Sequence, residues 1–209
     1  MSADLLKTPL HDWHLEHGAR MTPFAGYDMP VNYPGGIIAE HKQCRSAAAL
    51  FDVSHMGQLR LVGSDAAAAL ETLVPADLIG MAVGQQRYSF FTDTSGGILD
   101  DLMITRRDND LFLVVNAGRK ADDLKHLVTN IGHRCQIVPM PDQALLALQG
   151  PLAATALARL NIATMPGNSA NAFSLLRKFQ TRLDTPWLAR SKLRRFPIGS
   201  YGSGGARYT

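Results

Sequence analysis

Apolar and polar positions alternate most regularly between residues 57 and 138. There GQLRLVG, RYSFFT, ILDDLMIT, LFLVVN and CQIV read as strands. Helical spacing runs from Ser64 through AAAALETLV and again from Arg119 to about Asn130, with turns at DTSGG and RDND. The order β-α-β-β-β-α-β predicts an α+β fold, a ferredoxin-like antiparallel sheet with two helices on one face.

The flanks are less regular. Thr8 as N-cap, Pro9 at the first helical position and Gly18 beyond the end predict a short helix over about 9–17. MTPFAGYDMPVNYPGG is expected to wrap over a surface without forming one regular element, because Pro23, Pro30 and Pro34 interrupt it. A second helix is predicted over about 37–48. After Pro141 follow a strand in ALLALQG, a Pro-started helix in PLAATALARL, and two candidate strands, FSLLRKFQTRL and TPWLARS. Since residues 1–50 read as helices and loops with little sheet, they need the strands after Pro141 to complete a core. The predicted organisation is therefore a discontinuous domain, 1–56 with 139–191, interrupted by a 57–138 insertion and followed by a basic tail, 192–209, expected to be disordered.

Charge changes this picture only at the end of the chain. The net charge is +3, but residues 171–209 carry eight Lys/Arg against the single acid Asp184, leaving an acidic body before them. The tail's arginines, interleaved with Phe196, Tyr201 and Tyr208, are weak grounds for nucleic-acid binding, and no specific nucleic-acid partner is expected. No apolar run approaches the roughly 18 to 20 residues of a membrane span, and no signal core or Arg-rich presequence is evident. No membrane association is expected, and the cytoplasm is the expected compartment. Cys44 and Cys135 form no C-x-x-C pair and read as buried or idle thiols.

Candidate chemistry concentrates in two short stretches. In GGILDDL, a glycine turn enters an apolar strand holding Asp100 and Asp101, whose side chains face opposite ways, so one can look into a cleft while the other meets water. Both could instead cap the hairpin and face solvent. In FDVSHMG, His55 is a candidate general base with Asp52 or Ser54 as partner; a turn in which Asp52 and Ser54 bond local amides is the simpler account. His11, His14 and His17 fan along one helix side without completing a recognisable metal site, and none is expected. The glycine-rich stretch from Gly199 lacks G-K-[ST] and is not a phosphate loop.

Together, TPLHDWHLEHGARMTPFAGYDMPVNY, AEHKQCRSAAALFDVSHMGQLRLVG, GGILDDLM, LFLVVNAG and LLALQGP, in this order, make the chain resemble the N-terminal half of the glycine cleavage T protein family, the aminomethyltransferases, over about residues 7–191. The resemblance implies the family's folate-binding fold, here without its C-terminal barrel domain. It also implies transfer of a one-carbon unit from the aminomethyl-dihydrolipoyl arm of a lipoylated H protein to tetrahydrofolate, with release of ammonia. Asp101 is then the carboxylate that positions the folate at its reacting nitrogens, while Asp100 keeps the solvent-facing reading. Met56, Tyr88, Thr105, Asn116 and Ala117 would line the folate pocket, and His55 would be structural.

The match ends at Ser191. The family's glycine-rich loop, with a pterin-contacting Glu, has no counterpart in KLRRFPIGSYGSGGARYT, which suggests a reading-frame change followed by an early stop; the other frames beyond the Ser191 codon would then encode a GYTGEDG-like continuation. Three readings stay open. They are an aminomethyltransferase impaired by the missing parts of its pocket, a folate-binding relative without that activity, and a non-enzymatic product with uncovered sheet edges.

Overall fold

The structure, a computed structural model, describes residues 4–159 and the backbone of Ser174–Leu175. The chain divides into two compact units, one of Met1–Ser54 resuming at Ala144, the other centred on His55–Gln143. In chain order the elements are α1 (His11–Glu16), β1 (Arg20–Phe24), β2 (Tyr27–Asn32), α2 (Ile37–Ser46), β3 (Ala49–Asp52), β4 (Gly57–Val62), α3 (Ala66–Leu70), β5 (Gln86–Thr92), β6 (Ile98–Arg106), β7 (Asp110–Val115), α4 (Lys120–Ile131), β8 (Gln136–Pro139), β9 (Leu146–Gln149), α5 (Ala153–Ala158) and β10 (Ser174–Leu175). The residues of TPWLARS, the basic tail and all but Ser174–Leu175 of the FSLLRKFQTRL strand lie outside the described residues.

In the second unit the order β4-α3-β5-β6-β7-α4-β8 is the one the alternation predicts, and its strands pair antiparallel in the order β5-β6-β7-β4-β8. Without β5, the order is that of a ferredoxin-like sheet, with β6 and β7 as the central hairpin. β5 is an added edge strand. Alternate residues Leu59 and Leu61, Leu102 and Ile104, and Leu111, Leu113 and Val115 point to one face, where they meet Ala66, Ala69 and Leu70 of α3 and Leu127 and Ile131 of α4 in a single core. Both helices therefore cover the same face, leaving the opposite face to carry polar chemistry.

At one end of this sheet, β4 and β7 come close enough to require glycine. Gly57 pairs with Val115, and a Cβ built on it would lie 2.5 Å from Val115 Cγ2 and 2.8 Å from Lys120 Cβ. Val115 is fully buried and cannot swing away. Gly57→Ala is therefore expected to destabilise the fold by about 1–3 kcal/mol, the usual cost of overpacking. Thermal melting of the two proteins side by side checks this, and an unchanged midpoint would count against it.

The first unit holds more sheet than the sequence suggests. The proline-rich stretch forms a hairpin, β1 with β2, turning at Ala25 and Gly26, both at positive φ (47° and 83°), as a two-residue type I′ turn requires. The prolines are tolerated because their nitrogens point outward. Asp28 N–H donates to Leu6 O on the outer edge, so Pro30, two residues on, presents its nitrogen to that edge, and Pro23, paired with Asp28, does the same on the other. β3, absent from the prediction, pairs antiparallel with β9, which pairs in turn with β10. Ala48, Leu50, Leu146, Leu148, Ala156 and Leu157 form this unit's core, with Trp13 and Tyr33 packed against it.

Candidate functional site

The GGILDD turn frees both aspartates from the capping role. That work is done by Asp93, whose Oδ1 accepts from Ser95 N, Ser95 Oγ and Gly97 N at 2.6–2.8 Å. β6 then carries Asp100 and Asp101 to the end of the sheet where β7 finishes. Asp101 pairs with Phe90, and Leu102 pairs with Val115, so Asn116, just beyond β7, arrives beside both aspartates.

One amide nitrogen ties them together. Asn116 Nδ2 donates to Asp101 Oδ1 at 2.5 Å and to Asp100 Oδ1 at 2.9 Å, with Asp101 O at 3.3 Å. Asp101 shares the helix-free face with Phe90, Tyr88, Met103 and Thr105, by the two-residue alternation and the β5-β6 register. Asp100 does not have the solvent-facing position expected for it. It lies on the other face, toward α4, half-buried, with Oδ2 wholly buried. Strand alternation is right about the opposite directions, but α4 covers the side assigned to water.

The remaining candidates fall at graded distances. Met56 precedes Gly57 as Asn116 follows Val115, so both leave the same end of the β4-β7 pair, and Ala117 comes next; all three are half-buried. Tyr88 is 56% exposed, and its ring meets Phe90 edge-on, centroids 5.1 Å apart, giving an accessible apolar platform beside Asp101. Thr105 lies four residues up β6 from Asp101, roughly 13 Å along the strand, and its Oγ1 accepts from Gln86 Nε2 at 3.0 Å. The structure thus joins Asp101 and Asn116 directly, gathers Met56 and Ala117 at their end, sets Tyr88 alongside, and leaves Thr105 apart.

Two participants are missed by the sequence reading. Phe90 is on the platform, and Asp123 of α4 is 2% exposed. Asp123 lies on the buried stripe of α4 with Leu127 and Ile131, at i, i+4 and i+8, and an acid on such a stripe is the signal that would have found it.

The other unit contains a separate buried network. Asp52 Oδ2 accepts from Thr8 Oγ1 at 2.7 Å and from His14 Nε2 at 2.9 Å, while Oδ1 accepts from Ser54 N and Ser54 Oγ. His14 Nδ1 meets Tyr33 Oη at 2.7 Å, and burial, with the charges of Asp52 and Glu40, pushes the Tyr33 phenol up so that it keeps its proton. Thr8 therefore does not cap α1 with its side chain as predicted; its hydroxyl goes to Asp52. His11 bonds Asp28, and His17 stacks on Trp13. The simple account of FDVSHMG describes Asp52 and Ser54, with contacts from α1 added. His55 is 1% exposed, and its carbonyl accepts from Lys120 Nζ.

The family model described as the GCVT N-terminal domain matches residues 10–190. The chain belongs to this family. Among the GCVT relatives, the mitochondrial aminomethyltransferase of Dictyostelium discoideum is 43% identical over 158 residues, covering 72% of this chain and 39% of the relative. That of Flaveria anomala is 44% identical over 165 residues, 76% of this chain and 40% of the relative. The crystal structure of the glycine cleavage system aminomethyltransferase T from Bartonella henselae superposes with a TM-score of 0.72 at 39% identity, over 79% of this chain and 45% of that one. The chain thus spans about two fifths of the length of the first two of these relatives.

Proposed function

We propose that this chain carries the folate-binding side of a glycine cleavage aminomethyltransferase, with Asp101 as the group facing the reacting nitrogens. The observation that supports this most is the Asp101–Asn116 hydrogen bond beside the exposed Tyr88 ring and the half-buried Phe90 ring: a carboxylate fixed in direction next to an apolar platform. Those parts fit a flat, nitrogen-rich ring system. Tetrahydrofolate, when bound, supplies the nitrogens that take the one-carbon unit from the aminomethyl-dihydrolipoyl arm of an H protein, with release of ammonia.

The chain's own residues then have distinct tasks. The Asp101 carboxylate accepts hydrogen bonds from the ligand and favours positive charge growing at the nitrogen it faces. Asn116 keeps that carboxylate from rotating, which is a contribution of orientation. Tyr88 and Phe90 offer ring surface, and Met56 a polarizable side chain at the same end. A calorimetric titration of the 209-residue chain with tetrahydrofolate is expected to give saturable binding that a heat-denatured sample lacks, and ammonia release on adding aminomethylated H protein would extend it to transfer. Absence of binding by a chain that melts cooperatively would sink the proposal.

A further inference from the structure

Beneath Asp101 lies a second acid pair that the reading above does not use. Asp123, 2% exposed on α4, has its carboxyl group close enough to that of Asp100 on β6 for each to act on the other's charge. Oδ2 of Asp100 and Oδ2 of Asp123 are both buried, and neither receives a donor among the described residues. A carboxylate oxygen left so is costly. Two facing carboxyl groups also cannot both ionise without strong repulsion. A single proton held between them removes both penalties, because it supplies the missing donor and cancels one charge.

Asp100 is in turn joined to the proposed site. Its Oδ1 accepts from the same Asn116 Nδ2 that donates to Asp101 Oδ1, so the line Asp123, Asp100, Asn116, Asp101 is continuous. We propose that Asp123 is a positioning residue for Asp101: by holding one proton against Asp100 it keeps the Asn116 amide centred between the two aspartates and the Asp101 carboxylate turned to the open face. Loss of that proton would set a charged Asp123 against a charged Asp100, whose Oδ1 shares the Asn116 amide with Asp101, and the shared geometry could not persist. This rests on the reading of Asp101 as the ligand-facing group.

The electrostatics agree in direction. Burial first, then the hydrogen bond and charge of Asp100, push the Asp123 carboxyl up to about 7; Asp122 pushes the same way, and Arg119 opposes them. Arg119 is itself paired with Asp122 at 3.1 Å. With the pKa raised, the proton is present below neutrality and lost as the pH rises through about 7.

The test follows side-chain carboxyl carbons and the Asn116 amide by NMR from pH 5 to 9, in the parent chain and in Asp123→Asn, beside tetrahydrofolate titrations at pH 6 and pH 8. The expected result is a titration of Asp123 near neutrality, with the Asn116 amide shifting at the same midpoint. In Asp123→Asn, whose amide N–H replaces the carboxylic O–H toward Asp100, the Asn116 transition disappears. Parent affinity falls about tenfold from pH 6 to pH 8, equivalent to one pKa unit of coupling, while that of Asp123→Asn stays level. Titration of Asp123 in the ordinary carboxylate range, an Asn116 amide indifferent to the midpoint, or the same pH dependence in both proteins would overturn the inference. A neutral midpoint shared with Asn116 supports the proton pair even if tetrahydrofolate binds at no pH, a result that would overturn the folate reading instead.

Discussion

Asp101→Ala is expected to weaken tetrahydrofolate binding by roughly 30-fold, about 2 kcal/mol, the scale of a hydrogen bond to a charged group, while leaving the fold intact. Asp101 is half-buried where β6 runs past the end of β7, and its carboxylate takes the shortest of the Asn116 contacts. Alanine removes the acceptor and the negative charge but leaves Asn116 Nδ2 bonded to Asp100, so no buried donor is orphaned. If transfer is measured with aminomethylated H protein, the rate should fall by about 10²–10³-fold, as for removal of a fixed group that stabilises developing charge. Asp101→Asn keeps the volume and discards the charge, and is expected to resemble alanine in rate more than in affinity. Parent-like affinity in Asp101→Ala, together with an unchanged melt, would refute the assignment.

The largest stability effect should come from the other unit. Asp52→Ala is expected to cost about 3–5 kcal/mol, because it leaves buried partners of a charge without their acceptor. Thr8 Oγ1, His14 Nε2, Ser54 N and Ser54 Oγ all lose the oxygen they bond, and Thr8, His14 and Ser54 are each less than a tenth exposed. Burial pushes the Asp52 carboxyl up, but the bonds from His14, Ser54 and Thr8 outweigh it and hold the group below the usual carboxylate range. A carboxyl whose folded pKa is depressed stabilises the fold above its unfolded pKa and loses that contribution as the pH falls through the folded value. The gap between parent and Asp52→Ala should therefore be full at pH 7 and narrow as the pH drops below about 4. Urea unfolding followed by circular dichroism at a series of pH values measures both. A gap under about 1 kcal/mol at pH 7, or one that widens on acidification, would contradict the network's role.

Much of the 55–143 unit is legible in its one-dimensional pattern. Its strands are two-residue alternations bounded by Gly, Asp and Asn turns, and each face of a strand is decided by its own residues, so β4 to β8 and both helices appear in the predicted order. The hairpin at β1 and β2 is not legible because proline normally excludes a strand. Only pairing at a hairpin's outer edges, where no N–H is needed, makes Pro23 and Pro30 acceptable. β3 is missed because ALFD is short and its partner β9 lies almost a hundred residues away.

The site divides along the same line. That GGILDDL holds two acids facing opposite ways, and that FDVSHMG closes a local turn through Asp52 and Ser54, follow from strand alternation and the reach of short side chains. Which way is solvent does not follow. Placing α4 over Asp100, bringing Asn116 between two adjacent acids, burying Asp123 on the stripe of Leu127 and Ile131, and joining His14 and Thr8 to Asp52 across some forty residues all depend on register and packing. The sequence by itself determined the periodicity of the elements and the types of group available. The tertiary structure decided their partners, because a carboxylate's environment is set by the chain segments that cover it, and those come from elsewhere in the sequence.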